Sequence, residues 1–106
     1  MPTVEFIYDV DCPNVEKARQ QLQRAFDETN MDPVWQEWDR DTGEAPEYVR
    51  GYGSPTILVD GQDVAGLPPS ADANCCRVYE ASEKEEPGVP PLELITAALL
   101  EAKEMG

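Results

Sequence analysis

The hydrophobic pattern of the chain changes period at Cys12, and that change dictates a strand feeding a helix. Before it, Thr3 to Val10 alternate, with Val4, Phe6, Tyr8 and Val10 on one side and Glu5, Ile7 and Asp9 on the other, as successive side chains of a strand do. After it, Val15, Ala18, Leu22, Ala25 and Phe26 recur at spacings of three, four, three and one, which aligns them in one helical stripe. Pro13 suits the first helical turn, where a missing N–H is no loss. The helix is expected to fade in Asp27 to Asp32, and Pro33 blocks its continuation before a second strand at Val34 to Trp38. A strand-helix-strand unit results.

Asp39 to Gly53 is polar and punctuated by glycine, with room for one short helix around Pro46 to Arg50. Thr56 to Asp60 is β-branched and apolar, and Asp60-Gly61 is a strong two-residue hairpin turn into a fourth strand at Gln62 to Ala65. After Pro90-Pro91, the spacing of Leu92, Ile95, Leu99 and Leu100 gives a C-terminal amphipathic helix. The order is βαβαββα, an α/β class with a four-stranded mixed sheet flanked by helices. Gly66 to Pro91 does not fit a minimal version of it. With five prolines, an acidic stretch at Glu80 to Glu86, and Cys75 and Cys76, it reads as an irregular insertion before the last helix.

At 106 residues the chain is long enough for one domain, residues 1–106, and too short for two. Twenty-two acidic against eight basic residues give a formal charge of −14, which repels phosphate backbones and anionic lipid surfaces. Nucleic acid is therefore not expected as a partner. Such acidity serves solubility, and it would also suit a high-salt source. No apolar run approaches the ~20 residues of a membrane span, and the N-terminus lacks the basic and apolar regions of a signal peptide. We expect a soluble, cytoplasmic protein with no membrane partner. Histidine is absent, which excludes Ser-His-Asp and Cys-His nucleophilic pairs and every His-containing zinc site. Three cysteines cannot form a complete internal disulfide framework, so at least one thiol is left for a partner or for chemistry.

Three features, with the element order, resemble the thioredoxin and glutaredoxin superfamily: a strand running into Asp11-Cys12-Pro13-Asn14, the Ser54-Pro55-Thr56 step, and the Asp60-Gly61 hairpin. The resemblance covers the chain outside Gly66 to Pro91. It implies a thioredoxin-like fold, a nucleophilic Cys12 where strand one meets helix one, and a cis Pro55 facing it. It also implies that Ser54, before the proline, pairs with an extended substrate or glutathione backbone, with Pro13 and Thr56 beside it. The second cysteine of a Cys-x-x-Cys motif would fall at position 15, which is Val15, so a local dithiol is ruled out. The chain is also similar to small bacterial proteins with a Cys-Pro-Asn start, a Cys-Arg-x-Tyr segment (Cys76-Arg77-Val78-Tyr79) and a Gly-x-Pro-Pro step (Gly88 to Pro91). That likeness implies a mercury-resistance setting.

A thiol at a helix N-terminus meets unpaired N–H groups and the positive end of the dipole, which favour thiolate. Asp9 and Asp11 oppose this: a like charge ~6 Å away at an effective dielectric of ~40 costs about 1.4 kcal/mol, or roughly one pKa unit. The dipole term of ~0.3–1 kcal/mol does not clearly outweigh it, and no Lys or His lies nearby in sequence. Alternatively, Cys12 is a small buried hydrophobe that ends strand one. Cys75 and Cys76 have three readings. One of them resolves a mixed disulfide on Cys12, in a bridge that the loop-entropy relation values at roughly 4 kcal/mol. Or both join Cys12 to hold a thiophilic metal ion such as mercury. Or they pack under a loop.

The leading expectation is a thiol-dependent redox protein, without a cofactor, that reacts with protein thiols and disulfides or a small thiol through Cys12, with Cys75 or Cys76 resolving. The alternatives are a non-catalytic soft-metal module using Cys12, Cys75 and Cys76, and a redox-silent interaction scaffold. Full burial of Cys12 would favour the last. Other candidates are set aside. Trp35 and Trp38 point to opposite faces of a short strand, one expected in the core and the other partly exposed. Asp39, Asp41 and Glu44 lack the calcium-loop pattern, and Gly51 and Gly53 lack a phosphate-binding one.

Overall fold

The computed structural model describes residues 3–10, 12–40, 45–66 and 89–105. It is an α/β arrangement of two α-helices and a four-stranded, mixed, open sheet. Strand β1 (Val4–Tyr8) leads to helix α1 (Val15–Glu28), strand β2 (Gln36–Asp39), a 3₁₀ segment (Glu47–Gly51), strands β3 (Thr56–Val59) and β4 (Gln62–Asp63), and helix α2 (Leu92–Met105). The strand order is β2-β1-β3-β4, with β1 parallel to β2, and β3 antiparallel to both β1 and β4.

Each boundary has an identifiable cause. Strand β1 is shorter than its alternation, because the Asp9 N–H leaves the ladder and donates to Ser54 Oγ at 2.9 Å. Val10 consequently lies outside the strand and is 63% exposed, not on the core side. Helix α1 begins at Val15, after Asn14, instead of at Cys12. Its last helical residue is Glu28, within the expected fade over Asp27 to Asp32, and the chain turns away at Asn30. Asn30 takes a left-handed φ of 56°, its N–H donates to Asp27 C=O at 3.3 Å, and the Met31 N–H reaches Phe26 C=O at 3.0 Å. That pair of bonds is a Schellman end, in which an Asn tolerates the left-handed position and Met31 packs back on the core. Strand β2 starts two residues later than expected, where Gln36 comes into register with Glu5, and Val34 stays exposed.

The expected helix at Pro46 to Arg50 is a single 3₁₀ segment preceded by an extended Pro46, a run too short for an α-helix. The hairpin turns on Asp60 and Gly61, with φ of 51° and 82°, the two positive values that a type I′ turn requires. Strand β4 stops at Asp63 instead of Ala65. Asp63 accepts the Ala65 N–H on its side chain at 3.0 Å and the Gly66 N–H on its carbonyl at 2.8 Å, curling the chain off the sheet. Residues 67–88 of the expected insertion lie outside the described residues, but its last three do not. Val89, Pro90 and Pro91 are buried, and Val89 joins the main core.

Alternation sorts the side chains of the sheet onto two faces. Val4, Phe6, Ile57 and Val59 meet Ala18, Leu22, Ala25 and Phe26 of α1 and Ile95 and Leu99 of α2. Each large side chain buried there contributes roughly 1.5–3 kcal/mol relative to exposure. Leu100 falls off this stripe and is 46% exposed. The other face places Ile7 and Leu58 against Val49 and Tyr52 of the 3₁₀ region, flanked by Trp38 and Ala45. The two tryptophans do divide between the faces, Trp35 stacking on Phe26, but both are half-buried and neither is fully core. No described helix is long and apolar enough to cross a membrane.

Candidate functional site at the β1–α1 junction

Cys12 sits in the turn between β1 and α1. Its N–H donates to Asp9 C=O at 2.9 Å and its C=O accepts the Val15 N–H at 3.4 Å, so the backbone on both sides of the thiol is fixed. Across from it runs the approach to β3, where the Ser54–Pro55 bond is cis. Cys12 Sγ lies 3.8 Å from the Ser54 carbonyl and donates to it, a contact that only the protonated thiol makes. Ser54 Oγ accepts from the Asp9 N–H, and Thr56 Oγ1 donates to Gly53 C=O at 2.6 Å.

Of the expected site residues, the fold therefore brings Cys12 and Ser54 into contact, although forty-two positions separate them in sequence. Ser54, Pro55 and Thr56 are all buried, Cys12 is 5% exposed and Pro13 is exposed. Ser54 thus spends its hydroxyl and its carbonyl on contacts within the protein. Cys75 and Cys76, needed both for resolution and for the soft-metal alternative, lie outside the described residues, as does Asp11. Among the described residues, no group of three His, Cys, Asp or Glu side chains is placed to hold a metal ion.

One residue of the site goes unseen in sequence reasoning. Asp9 counts there as an uncompensated like charge beside the thiol, with no cation close in sequence. In the fold, Arg40 Nη1 donates to Asp9 Oδ2 at 2.7 Å, and both side chains are only 13% exposed. Strand register accounts for the meeting. Tyr8 is paired with Asp39 in the parallel ladder, which sets the next residues of the two strands, Asp9 and Arg40, side by side. The Arg40 N–H donates to Tyr8 C=O at 2.9 Å and holds that alignment. The signal that could have found it was the parallel pairing of the two strand ends, not proximity along the chain.

Away from the junction, two sets of polar groups shape the electrostatics. On the α1 side, the Arg19 fork grips Glu37 through Nε at 2.9 Å and Nη2 at 3.0 Å, and its guanidinium lies over the Phe6 and Tyr8 rings. Burial pushes Glu37 up, but the hydrogen bonds from Arg19 and Trp35 outweigh it and leave this carboxyl below the usual range. On the opposite face, Glu5 is 7% exposed and accepts from Trp38 Nε1 at 2.8 Å and from the Tyr48 hydroxyl. Desolvation and the hydrogen bond to Glu5 push the Tyr48 phenol up to about 12.

Comparison with known proteins adds no name to this geometry: the chain matches no protein-family model, no curated protein and no solved structure.

Proposed function

We propose that the chain is a thioredoxin-like thiol protein in which Cys12 exchanges with disulfides of proteins or of a small thiol. The observation that carries this reading is the 3.8 Å contact of Cys12 Sγ with the Ser54 carbonyl, which joins the entrance of α1 to the entrance of β3. The parallel β1–α1–β2 start, the antiparallel β3–β4 hairpin and the closing helix α2 support it, being the element order of the superfamily that the Cys12 and Pro55 motifs resemble. The Asp9–Arg40 pair supports it further, since Asp9, whose backbone holds the Cys12 turn, carries a counter-ion for its carboxylate.

In this reading, Cys12 first gives up its proton to solvent and leaves the Ser54 carbonyl. The thiolate attacks one sulfur of a disulfide, a Cys12–sulfur bond forms as the old S–S bond breaks, and the departing sulfur takes the electron pair and a proton. A second thiol, from Cys75, Cys76 or a small-molecule donor, then attacks the Cys12 sulfur as its thiolate; a new S–S bond to Cys12 forms as the Cys12–substrate bond breaks, and the second substrate sulfur leaves with the electron pair and takes up a proton. The substrate is reduced by two electrons and the pair of attacking thiols is oxidised. The test is mixed-disulfide formation with glutathione disulfide, followed by mass spectrometry, in the full chain and in Cys12→Ser. Equal exchange rates in the two proteins would sink the reading.

The 5% exposure of Cys12 favours a second reading, a redox-silent scaffold that serves as an interaction domain. In that case Cys12 reacts with disulfides only after the chain is unfolded in urea. Reaction of the native protein at a rate near that of the unfolded chain dismisses the scaffold reading.

A further inference from the structure

We infer that the Asp9–Arg40 ion pair is the charge-balancing element of the thiol site, and that Arg40 is a positioning residue which sets the pH at which Cys12 becomes reactive. The inference rests on the reading of Cys12 as the working thiol. Every polar group of Asp9 has a task at this junction. Its N–H donates to Ser54 Oγ, its C=O accepts the Cys12 N–H, and its carboxylate accepts from Arg40. Ser54 in turn receives the Cys12 S–H on its carbonyl. Cys12, Asp9 and Ser54 thereby form a closed loop of contacts, with Arg40 attached at the one charged group.

Both members of the pair are 13% exposed, so solvent screens them less than it would a surface pair. A lone carboxylate here would repel a thiolate on Cys12, and a lone guanidinium would attract one. Together they leave the turn that carries Cys12, whose N–H is held by the Asp9 carbonyl, with a nearly neutral pair. Among the described residues, the charged groups of these elements at the junction end are Glu16, ion-paired to Arg19, and Lys17 in the first turn of α1, and Asp39 at the end of β2, with Glu5 of β1 and Glu37 of β2 farther along their strands. Asp11 is a neighbour in sequence. None of these changes in the variants below, so their influence cancels in the comparison.

The test is an ultraviolet titration of the thiolate in the full chain carrying Cys75→Ser and Cys76→Ser, with the same chain lacking Cys12 as the blank. It reads ionisation whether or not a reagent can reach the sulfur. Arg40→Gln is expected to raise the midpoint and Asp9→Asn to lower it, each by about one pH unit for a unit charge ~6 Å away at a dielectric of ~40. At a fixed pH below the midpoint, the thiolate fraction then changes roughly tenfold in opposite senses. The double variant returns to the parent value, and Arg40→Lys keeps it. A merely structural role predicts shifts of one sign, because loosening the junction exposes the thiol in either variant. Shifts of one sign, or none, overturn the inference. If Arg40→Gln does not fold, Asp9→Asn and Arg40→Lys decide the matter between them. Failure of the underlying reading is separately visible: it abolishes the difference in disulfide exchange between the parent and Cys12→Ser while the titration still reports.

Discussion

The two faces of the sheet are held by different physics. The helix-covered face is a continuous apolar surface in which Phe6, Leu22, Phe26, Ile57, Ile95 and Leu99 interlock, with the Arg19 guanidinium kept at the rim and gripped by Glu37. The opposite face has a smaller apolar cluster and admits a buried carboxylate, Glu5, satisfied by Trp38 and Tyr48. Packing on the first face loses stability in proportion to the volume removed, whereas the polar set on the second loses it through groups left unpaired. The same strands serve both, so substitutions on either face can be compared within one backbone.

The largest effect is expected from opening the helix-covered core. Leu22→Ala removes a side chain with no exposed area and should lower the unfolding free energy by about 3–5 kcal/mol in urea titration. A loss under about 1 kcal/mol would mean that α1 collapses onto the sheet without a cavity, and the contrast between the faces would shrink. Next comes Glu5→Ala, which leaves the Trp38 N–H and the Tyr48 hydroxyl without their acceptor and should cost about 2–3 kcal/mol. Glu5→Gln keeps an acceptor oxygen and should recover about half of that. If Glu5→Ala is neutral, the carboxylate is incidental and both faces are governed by apolar packing alone.

The difference between the faces is also a difference in what a sequence can disclose. The stripe of α1, the alternation of β1 and the Asp60-Gly61 turn are all local, because each is written in residues within a few positions of one another. They carried over into the fold with shifts of a few residues at their ends. Those shifts came from contacts made by chain segments distant in sequence: Ser54 drawing Asp9 off the ladder, and Glu5 fixing where β2 begins. Asp63 is a different case, since the turn it makes is local and went unread behind the apolar Val64-Ala65. The side-chain partnerships of the Glu5 and Asp9 carboxylates are non-local. Glu5 meets Tyr48 across forty-three positions and Asp9 meets Arg40 across thirty-one, so neither pair leaves a mark in composition or periodicity. At the thiol site, the resemblance set Pro55 facing Cys12 and gave Ser54 to a substrate backbone, whereas the contact of Ser54 with Cys12 and the counter-ion of Asp9 came from the fold.

A third prediction concerns the rim. Arg19 and Trp35 favour the charged form of Glu37, so its folded-state pKa lies below its unfolded value. The stability this contributes is present above the unfolded value of about 4.3 and is lost as pH falls through the folded one. Glu37→Gln should therefore be less stable than the parent at neutral pH by about 1 kcal/mol, and the gap should close on acidification. A gap that stays constant from neutral to acid pH would show that the Arg19 fork acts by shape, not by charge.

The smallest effect is expected at the exposed end of the polar set. Tyr48→Phe deletes one hydrogen bond to Glu5 from a half-exposed ring and should cost about 0.5–1 kcal/mol at neutral pH, measured by urea unfolding. Its pH dependence is the sharper readout. The phenol is neutral in the folded protein up to about 12, against about 10 in the unfolded chain, so its contribution is whole below pH 10 and declines as pH rises through 12. The parent should accordingly lose its advantage over Tyr48→Phe across that alkaline window, on the face opposite to the one where Glu37 is lost in acid. An advantage that persists unchanged to pH 12 would place the Tyr48 hydroxyl outside the reach of the Glu5 carboxylate in solution, leaving Trp38 as the group that makes burial of Glu5 tolerable.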